Sequence, residues 1–166
     1  MNSIDAYFHW LERTDLSRVI TAYPWIWPAA ETLHFMGLAL LIGCIGVLDL
    51  RMLGFAKHVS IISLHRFIPL GILGFAINLT TGLVFFIGAP FQYLHNLAFQ
   101  MKLLFLAIAG INVMIFYLGG IIHKVEALGP DADPPVSAKV ISFTSIICWF
   151  LVMYWGRMLP FVGNAF

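Results

Sequence analysis

The chain has 166 residues, of which 61% are hydrophobic and only 10% are charged. Soluble globular domains carry about 25% charged residues, so this composition argues against a soluble domain and indicates a membrane protein. The formal net charge of +1 lacks the basic excess on which nucleic-acid binders rely, so we expect no nucleic-acid partner.

Residues 1–23 differ in character from the rest of the chain. They mix charges and aromatic residues and lack the apolar core of a cleavable signal peptide. Apolar side chains recur at helical spacing at Ile4, Tyr7, Phe8 and Leu11. The pattern predicts an amphipathic helix that lies along the membrane interface or covers one end of a helical bundle.

Residues 24–166 are predicted to form a single transmembrane domain. A membrane-spanning helix needs about 20 apolar residues, and four segments meet this requirement: 25–51, 61–88, 90–123 and 138–159. Serine, glycine and proline mark the short connections between them. The sequence therefore predicts an all-α fold, an integral membrane up-down four-helix bundle in contact with the lipid bilayer.

The positions of the basic residues predict the orientation of this bundle. Lysine and arginine flank the first and third connections, whereas the second connection, APFQYLHN, has neither. The positive-inside rule places the first and third connections in the cytoplasm. Both termini are then on the outer side of the membrane.

Two histidines have similar predicted depths near the outer side. At ~1.5 Å per residue, His34 lies roughly 10 Å below Trp27, and His95 lies roughly 7 Å below Pro90 if that proline opens the third helix. The first and third helices of such a bundle can face each other diagonally. Two imidazoles in this arrangement suit the axial ligation of a b-type haem, and Gly37, on the face of His34, would make room for the ring.

Other groups extend this predicted haem site. Glu31 lies one turn before His34 and is expected to hold the imidazole in one tautomer. Lys102 and Arg157 are candidate partners of the haem propionates. The alternative is a structural Glu31–His34 bond, with His95 at the level of the lipid headgroups and both cations extending to the membrane surface.

A second, weaker histidine pair is predicted near the inner side, where His65 and His123 would hold a second haem. However, His95 and His123 are separated by 28 positions, about 42 Å of continuous helix, against a hydrocarbon core of about 30 Å. One of the two must therefore approach water, which favours a single haem.

The remaining polar groups leave other functions open. Asn78, Thr80, Thr81 and Asn112 favour hydrogen bonds between helices and are a weak indication of a quinone pocket. Asp49 and Arg51 are expected to anchor the cytoplasmic end of the first helix. The methionines include Met36 and Met101 near the outer histidines, a pattern that suits copper(I) but is more typical of core filling.

Three stretches carry a resemblance to known proteins: SRVITAYPWIWPAAETLHFMGLALLIGCIGVLDLRMLG, NLTTGLVFF and LAFQMKLLFLAIAGIN. They resemble a family of uncharacterised small bacterial four-helix integral membrane proteins, which implies a location in the bacterial inner membrane. The layout is distantly similar to copper-resistance D type proteins and to the bacterial membrane protoporphyrinogen oxidase, which is associated with haem. His34 corresponds by position to a histidine early in the first helix of that oxidase, and Lys102 on the third helix is a further point of similarity to these families. This chain has LALLIG where the oxidase has Trp-x-Ala-Gly, so whether it is an enzyme stays open.

We therefore predict a membrane haem protein in electron transfer, with one haem b, or two if the inner histidines also bind. The alternatives are a protein that transports or handles copper or another metal, and a cofactor-free structural or assembly subunit. A small bundle of this kind is expected to form a homo-oligomer or join a larger membrane complex, with a redox partner under the first prediction.

Overall fold

The computed structural model describes residues 3–129 and 131–162, and within these ranges the regular structure is entirely helical. The helices are α1 (Ser3–Glu12), α2 (Asp15–Ala22), α3 (Ile26–Met52), α4 (Ile61–His65), α5 (Ile68–Gly88), α6 (Pro90–Leu94), α7 (Leu97–Leu118), α8 (Ile121–Glu126) and α9 (Val136–Met158). Four segments are long and apolar enough to cross a membrane: α3, the α4–α5 segment, α7 and α9. The predicted all-helical fold with four long apolar segments is confirmed.

The predicted third helix, 90–123, is divided into α6, α7 and α8. The first break occurs because the Asn96 side chain caps α7, accepting a hydrogen bond from the Ala98 N–H at 2.9 Å. The second break is at Gly119 and Gly120, where Gly120 has a positive φ of 66° that favours glycine. The expectation of one continuous 34-residue helix is therefore corrected. Of the three helices in this segment, α7 is the one whose length suits the bilayer.

Shorter interruptions divide two other predicted segments. Residues 66 and 67 separate α4 from α5. The predicted N-terminal helix is two helices, since Thr14 caps α2 by accepting from the Ser17 N–H at 3.3 Å. Phe8 is buried against Phe86 and Phe91. α1 and α2 thus pack over one end of α5 and against α6, as in the alternative of a helix that covers the end of the bundle.

The long helices associate as two pairs. α3 packs mainly on α5 and α7 packs mainly on α9, while a smaller contact between α3 and α9 joins the pairs. Within the described residues, α5 and α7 do not form an extensive contact, although they follow one another in the chain. The predicted diagonal relation of α3 and α7 is compatible with this packing, since these helices also share little contact.

Two buried apolar clusters hold the pairs together. One lies at mid-length and includes Leu41 of α3, Ala109 of α7 and Trp149 of α9. The other lies at the end near α4 and α8, and its largest contributors include Met52, Phe116 and Val125. The opposite end of the long helices, which carries His34 and Lys102, lies outside both clusters.

Candidate functional site

The imidazole of His34 is held by a specific hydrogen bond. His34 is half-buried on α3, two turns after the helix begins, and its Nδ1 lies 2.7 Å from Oγ1 of Thr81 on α5. The ring of Phe85 lies one turn further along α5, at 5.7 Å from the imidazole, and Trp27 lies 5.2 Å beyond it. His34 is therefore fixed from one side by α5.

The hydrogen bonds of Thr81 determine which tautomer His34 adopts. The Thr81 hydroxyl lies 2.7 Å from the Ile77 carbonyl oxygen and 3.2 Å from that of Asn78. A hydroxyl has one proton, and a bond to these carbonyls uses it. Nδ1–H of His34 must then donate to Oγ1 of Thr81, an assignment made from the hydrogen-bond network. The Nε2 atom consequently retains its lone pair for a ligand.

Glu31 does not make the bond predicted for it. Glu31 is exposed, and among the described residues the partner of His34 is Thr81. Tyr93 of α6 is half-buried, and its pKa is raised to about 12, first by burial and second by the negative charge of Glu31. The Tyr93 phenol therefore stays protonated and neutral at physiological pH.

The two predicted cations have different surroundings. Lys102 is half-buried on α7, and its Nζ lies 3.6 Å from the position that a Cβ on Gly156 would take. Among the described residues its ammonium makes no hydrogen bond to His34, and the two groups are related by a longer-range electrostatic interaction. Arg157 is exposed, with its guanidinium carbon 5.4 Å from the centroid of the Phe161 ring. Lys102 thus belongs to the His34 region, whereas Arg157 lies at the surface of the bundle end.

His95 is outside the long helix in which it was predicted. It is exposed at the junction of α6 and α7, where it forms the C-cap of α6. No hydrogen bond or ring contact joins it to His34 among the described residues. The expectation that His95 projects from a continuous third helix is corrected, because α6 ends at Leu94 and the next helix, α7, begins at Leu97 with Asn96 as its N-cap.

The inner histidines are separately engaged. His65 Nε2 lies 3.1 Å from the Tyr117 hydroxyl. His123 is exposed on α8, with Nδ1 3.9 Å from a carboxylate oxygen of Glu126. The two histidines share no contact in the described part of the chain, so the structure does not bring them together.

Gly37 does not leave the open space that was expected. A Cβ on Gly37 would lie 2.7 Å from Asn78 Nδ2 and 2.9 Å from the Gly74 carbonyl oxygen, so α5 already fills this face. A shallow apolar groove lies next to it, lined by Leu33, Ala76, Ile77, Thr80 and Thr81. Of the two methionines predicted near the outer histidines, Met36 is exposed and Met101 is half-buried. In the described ranges, no three His, Cys, Asp or Glu side chains are grouped to hold a metal ion.

The outer cluster is thus defined by His34, Thr81, Glu31, Tyr93 and Lys102, from four helices. Sequence reasoning identified three of these residues for the site, considered Thr81 only as a helix-packing or quinone group, and missed Tyr93. The signal for Thr81 was the mid-helix pair Thr80-Thr81, of which only Thr81 is buried. Comparisons with protein families, with curated proteins and with solved structures found no match to this chain.

Proposed function

We propose that this chain is an integral membrane b-type haem protein that takes part in electron transfer, with His34 as an axial ligand. One observation carries the proposal: Nδ1 of His34 lies 2.7 Å from Oγ1 of Thr81, whose own proton is used by the Ile77 carbonyl, so the Nε2 lone pair is available for a ligand. Haem-ligating histidines coordinate through one ring nitrogen while a second group holds the other N–H and orients the ring. Thr81 supplies that second group here.

The neighbouring residues fit a haem in three respects. The imidazole is neutral in the tautomer described, as an axial ligand must be. The ammonium of Lys102 is available on α7 to neutralise a propionate, and Arg157 lies at the same end of the bundle for a second one. α3 and α7 share little contact, so a flat ring between them would not need to separate a packed interface.

The bound haem would supply reversible one-electron chemistry at its iron. The chain's own residues would hold and orient it: His34 would supply a nitrogen ligand, Thr81 would prevent rotation of the His34 ring, and Phe85 with Trp27 covers one side of the imidazole. Glu31 and the neutral Tyr93 phenol complete the polar end of the site. His95, exposed at the α6–α7 junction, remains the proposed second ligand.

The proposal favours one haem per chain. His65 is bonded to Tyr117, and His123 is exposed on a separate short helix. The proposed location is the bacterial inner membrane in an up-down arrangement, with both termini periplasmic and the outer cluster on the periplasmic side. This orientation follows from the basic residues near residues 53–60 and 127–135.

The first experiment is a visible absorption spectrum of the detergent-purified protein, oxidised and dithionite-reduced, after expression with added haem precursor. Haem per chain is counted in a pyridine extract. We expect a reduced α-band, one haem per chain, and loss of haem in His34→Ala. His58→Ala, an exposed histidine of the first connection, is the control and should keep the spectrum. A colourless protein, or an unchanged spectrum in His34→Ala, would contradict the proposal.

A second variant tests the other axial position. If His95 ligates the iron, His95→Ala should convert a six-coordinate low-spin spectrum to a five-coordinate high-spin one at unchanged haem content. An identical spectrum would show that His95 is not a ligand while leaving His34 in place. Copper or another metal retained without a porphyrin band would favour the metal-handling alternative instead.

A further inference from the structure

A buried polar cluster lies at the contact of α3 and α9, in the half of the molecule opposite to His34. Its members are Asp49 and Arg51, each 3% exposed, Ser142, 0% exposed, and Ser145, 6% exposed. Ser142 and Ser145 are three residues apart and share one face of α9. Such burial of a carboxyl group is rare unless the group is paired or binds a ligand.

Arg51 is not the partner of Asp49. The Arg51 guanidinium is directed to the α3–α4 connection, where Nε donates to the Val59 carbonyl at 2.8 Å and Nη2 to the Lys57 carbonyl at 2.9 Å. Residues two apart on a helix lie on nearly opposite faces. The described residues show no ion pair between the Asp49 carboxylate and this guanidinium, whose Nη1 is buried without a hydrogen bond.

The nearby lysines do not neutralise Asp49 either. Lys57 Nζ and Lys139 Nζ both bind the exposed Asp133, at 2.8 Å and 2.6 Å. Asp49 therefore has no cationic partner among the described side chains. A single ionised carboxylate left in this position would be strongly unfavourable.

Two oxygen atoms of this cluster lack hydrogen-bond partners in the described part of the chain. Ser142 and Ser145 are the polar side chains that interact with the carboxyl group of Asp49, yet among the described residues Asp49 Oδ2 and Ser142 Oγ are both buried and neither has a partner within hydrogen-bonding geometry. A direct bond between them would satisfy both atoms, and the geometry does not form it. Buried polar atoms without partners are few in folded proteins, and they often mark the position of a bound ion or water.

We propose that Asp49, Ser142 and Ser145 form a binding site for a small monovalent cation, with Na⁺ as the ion of matching charge. The donors are all oxygen atoms, which hard cations prefer over nitrogen or sulfur. One carboxylate balances one positive charge. The Asn112 side chain, which donates to the Ile141 carbonyl at 2.9 Å, holds α7 to the α9 backbone next to Ser142 and so keeps the site in register.

A cation bound at this site would help to hold the two helix pairs together. The α3–α9 contact joins the two helix pairs, and an ion shared by Asp49 and Ser142 would link those helices. A ligand that binds the folded state alone raises its stability as the ligand concentration rises. The site is independent of the proposed haem, because none of its residues belongs to the outer cluster.

The test uses the detergent-purified full chain in NaCl, KCl or choline chloride at equal ionic strength, with thermal unfolding and ²²Na⁺ binding as readouts. We expect a saturable rise of the unfolding midpoint and saturable ²²Na⁺ binding in NaCl. Asp49→Asn should abolish both, and Ser142→Ala should weaken the apparent affinity about tenfold by removing one ligand. Asp133→Asn removes an exposed carboxylate near the same end and should keep both responses.

Any one of four results would overturn the proposal. An equal response to choline would be a general salt effect. Binding retained in Asp49→Asn would exclude this carboxylate, and if that variant does not fold, an unchanged affinity in Ser142→Ala decides against the site. Absence of both ²²Na⁺ binding and any cation response in the folded wild-type protein would mean that Asp49 is a neutral carboxyl satisfied by water.

Discussion

The α3–α5 pair and the α7–α9 pair are held together in different ways. In α3–α5 the backbones touch: a Cβ on Gly74 would lie 2.6 Å from the Gly37 carbonyl oxygen and 2.7 Å from the Leu41 amide nitrogen. In α7–α9 the contact is made by side chains, among them Ala109, Cys148, Trp149 and Val152. Lipid tails are as apolar as the helices, so both interfaces depend on close packing rather than on removal of apolar surface from water.

The close backbone contact between α3 and α5 positions His34 in the candidate site. His34 lies one turn before Gly37, and Thr81 lies two turns after Gly74. The close backbone approach at the two glycines is what brings Nδ1 of His34 to 2.7 Å from the Thr81 hydroxyl. An interface made of large side chains would hold these helices farther apart and leave the imidazole without this partner.

The largest effect is expected from Gly74→Ala, because the new methyl group meets backbone atoms that cannot move aside. We expect a loss of about 3 kcal/mol in the free energy of unfolding, measured by thermal or denaturant unfolding in detergent. Gly82→Ala on the same helix is the control, since no described atom beyond its own stretch of helix lies within 4 Å of its added Cβ. If both alanines were tolerated equally, the α3–α5 backbone contact would not determine stability.

A smaller loss is expected in the side-chain interface. Trp149 is 9% exposed in the α7–α9 contact, and Trp149→Ala leaves a cavity there. In lipid, little free energy is lost by exposing an apolar side chain to its surroundings. We therefore expect the free energy of unfolding to fall by about 2 kcal/mol, less than for the same change in the core of a soluble protein. Phe150→Ala, at a neighbouring position that is 59% exposed, should unfold like the wild type. An equal loss at both positions would mean that Trp149 acts through lipid rather than through packing.

Thr81→Val tests whether the close pair supports His34. Valine keeps the shape of the side chain and removes the acceptor of the Nδ1–H bond, so we expect the free energy of unfolding to fall by about 1 kcal/mol. The ¹⁵N chemical shifts of the His34 ring should show a mixture of tautomers in the variant and one tautomer in the wild type. Thr80→Val is the matched control, because the Thr80 hydroxyl is exposed and bonds only the Ala76 carbonyl. A single unchanged tautomer in Thr81→Val would refute the assignment.

The smallest effect on stability is expected at Asp133, which lies in the connection between α8 and α9, outside both helix pairs. Hydrogen bonds from Lys139 and Lys57 lower the pKa of Asp133 from 3.8 to about 2. A folded-state pKa below the unfolded one contributes stability that is present above about pH 4 and is lost as the pH falls through about 2. The stability difference between the wild type and Asp133→Asn should therefore shrink between pH 4 and pH 2. A difference that does not change over this range would show that the two lysines do not hold this carboxylate in solution.

The four long apolar segments could be predicted because length and hydropathy are local properties of the chain. The breaks in the third segment could not be predicted from hydropathy, since residues 95–96 and 119–120 interrupt a run that remains apolar on both sides. The break at Asn96 is also supported by a distant contact: its side-chain nitrogen donates to the Leu159 carbonyl at 3.0 Å. A cap of this kind depends on where α9 ends.

The residues of the candidate site could likewise be predicted only in part. The order of residues along the chain is enough to show a histidine and a glutamate near the start of the first long helix, and an aspartate and an arginine near its end. The pairing of His34 with Thr81, 47 residues away, and the interaction of Ser142 with Asp49 become visible only once the helices are packed together. These partners depend on the rotation and depth of one helix against another, and those are set by glycine contacts and side-chain packing that no local pattern contains.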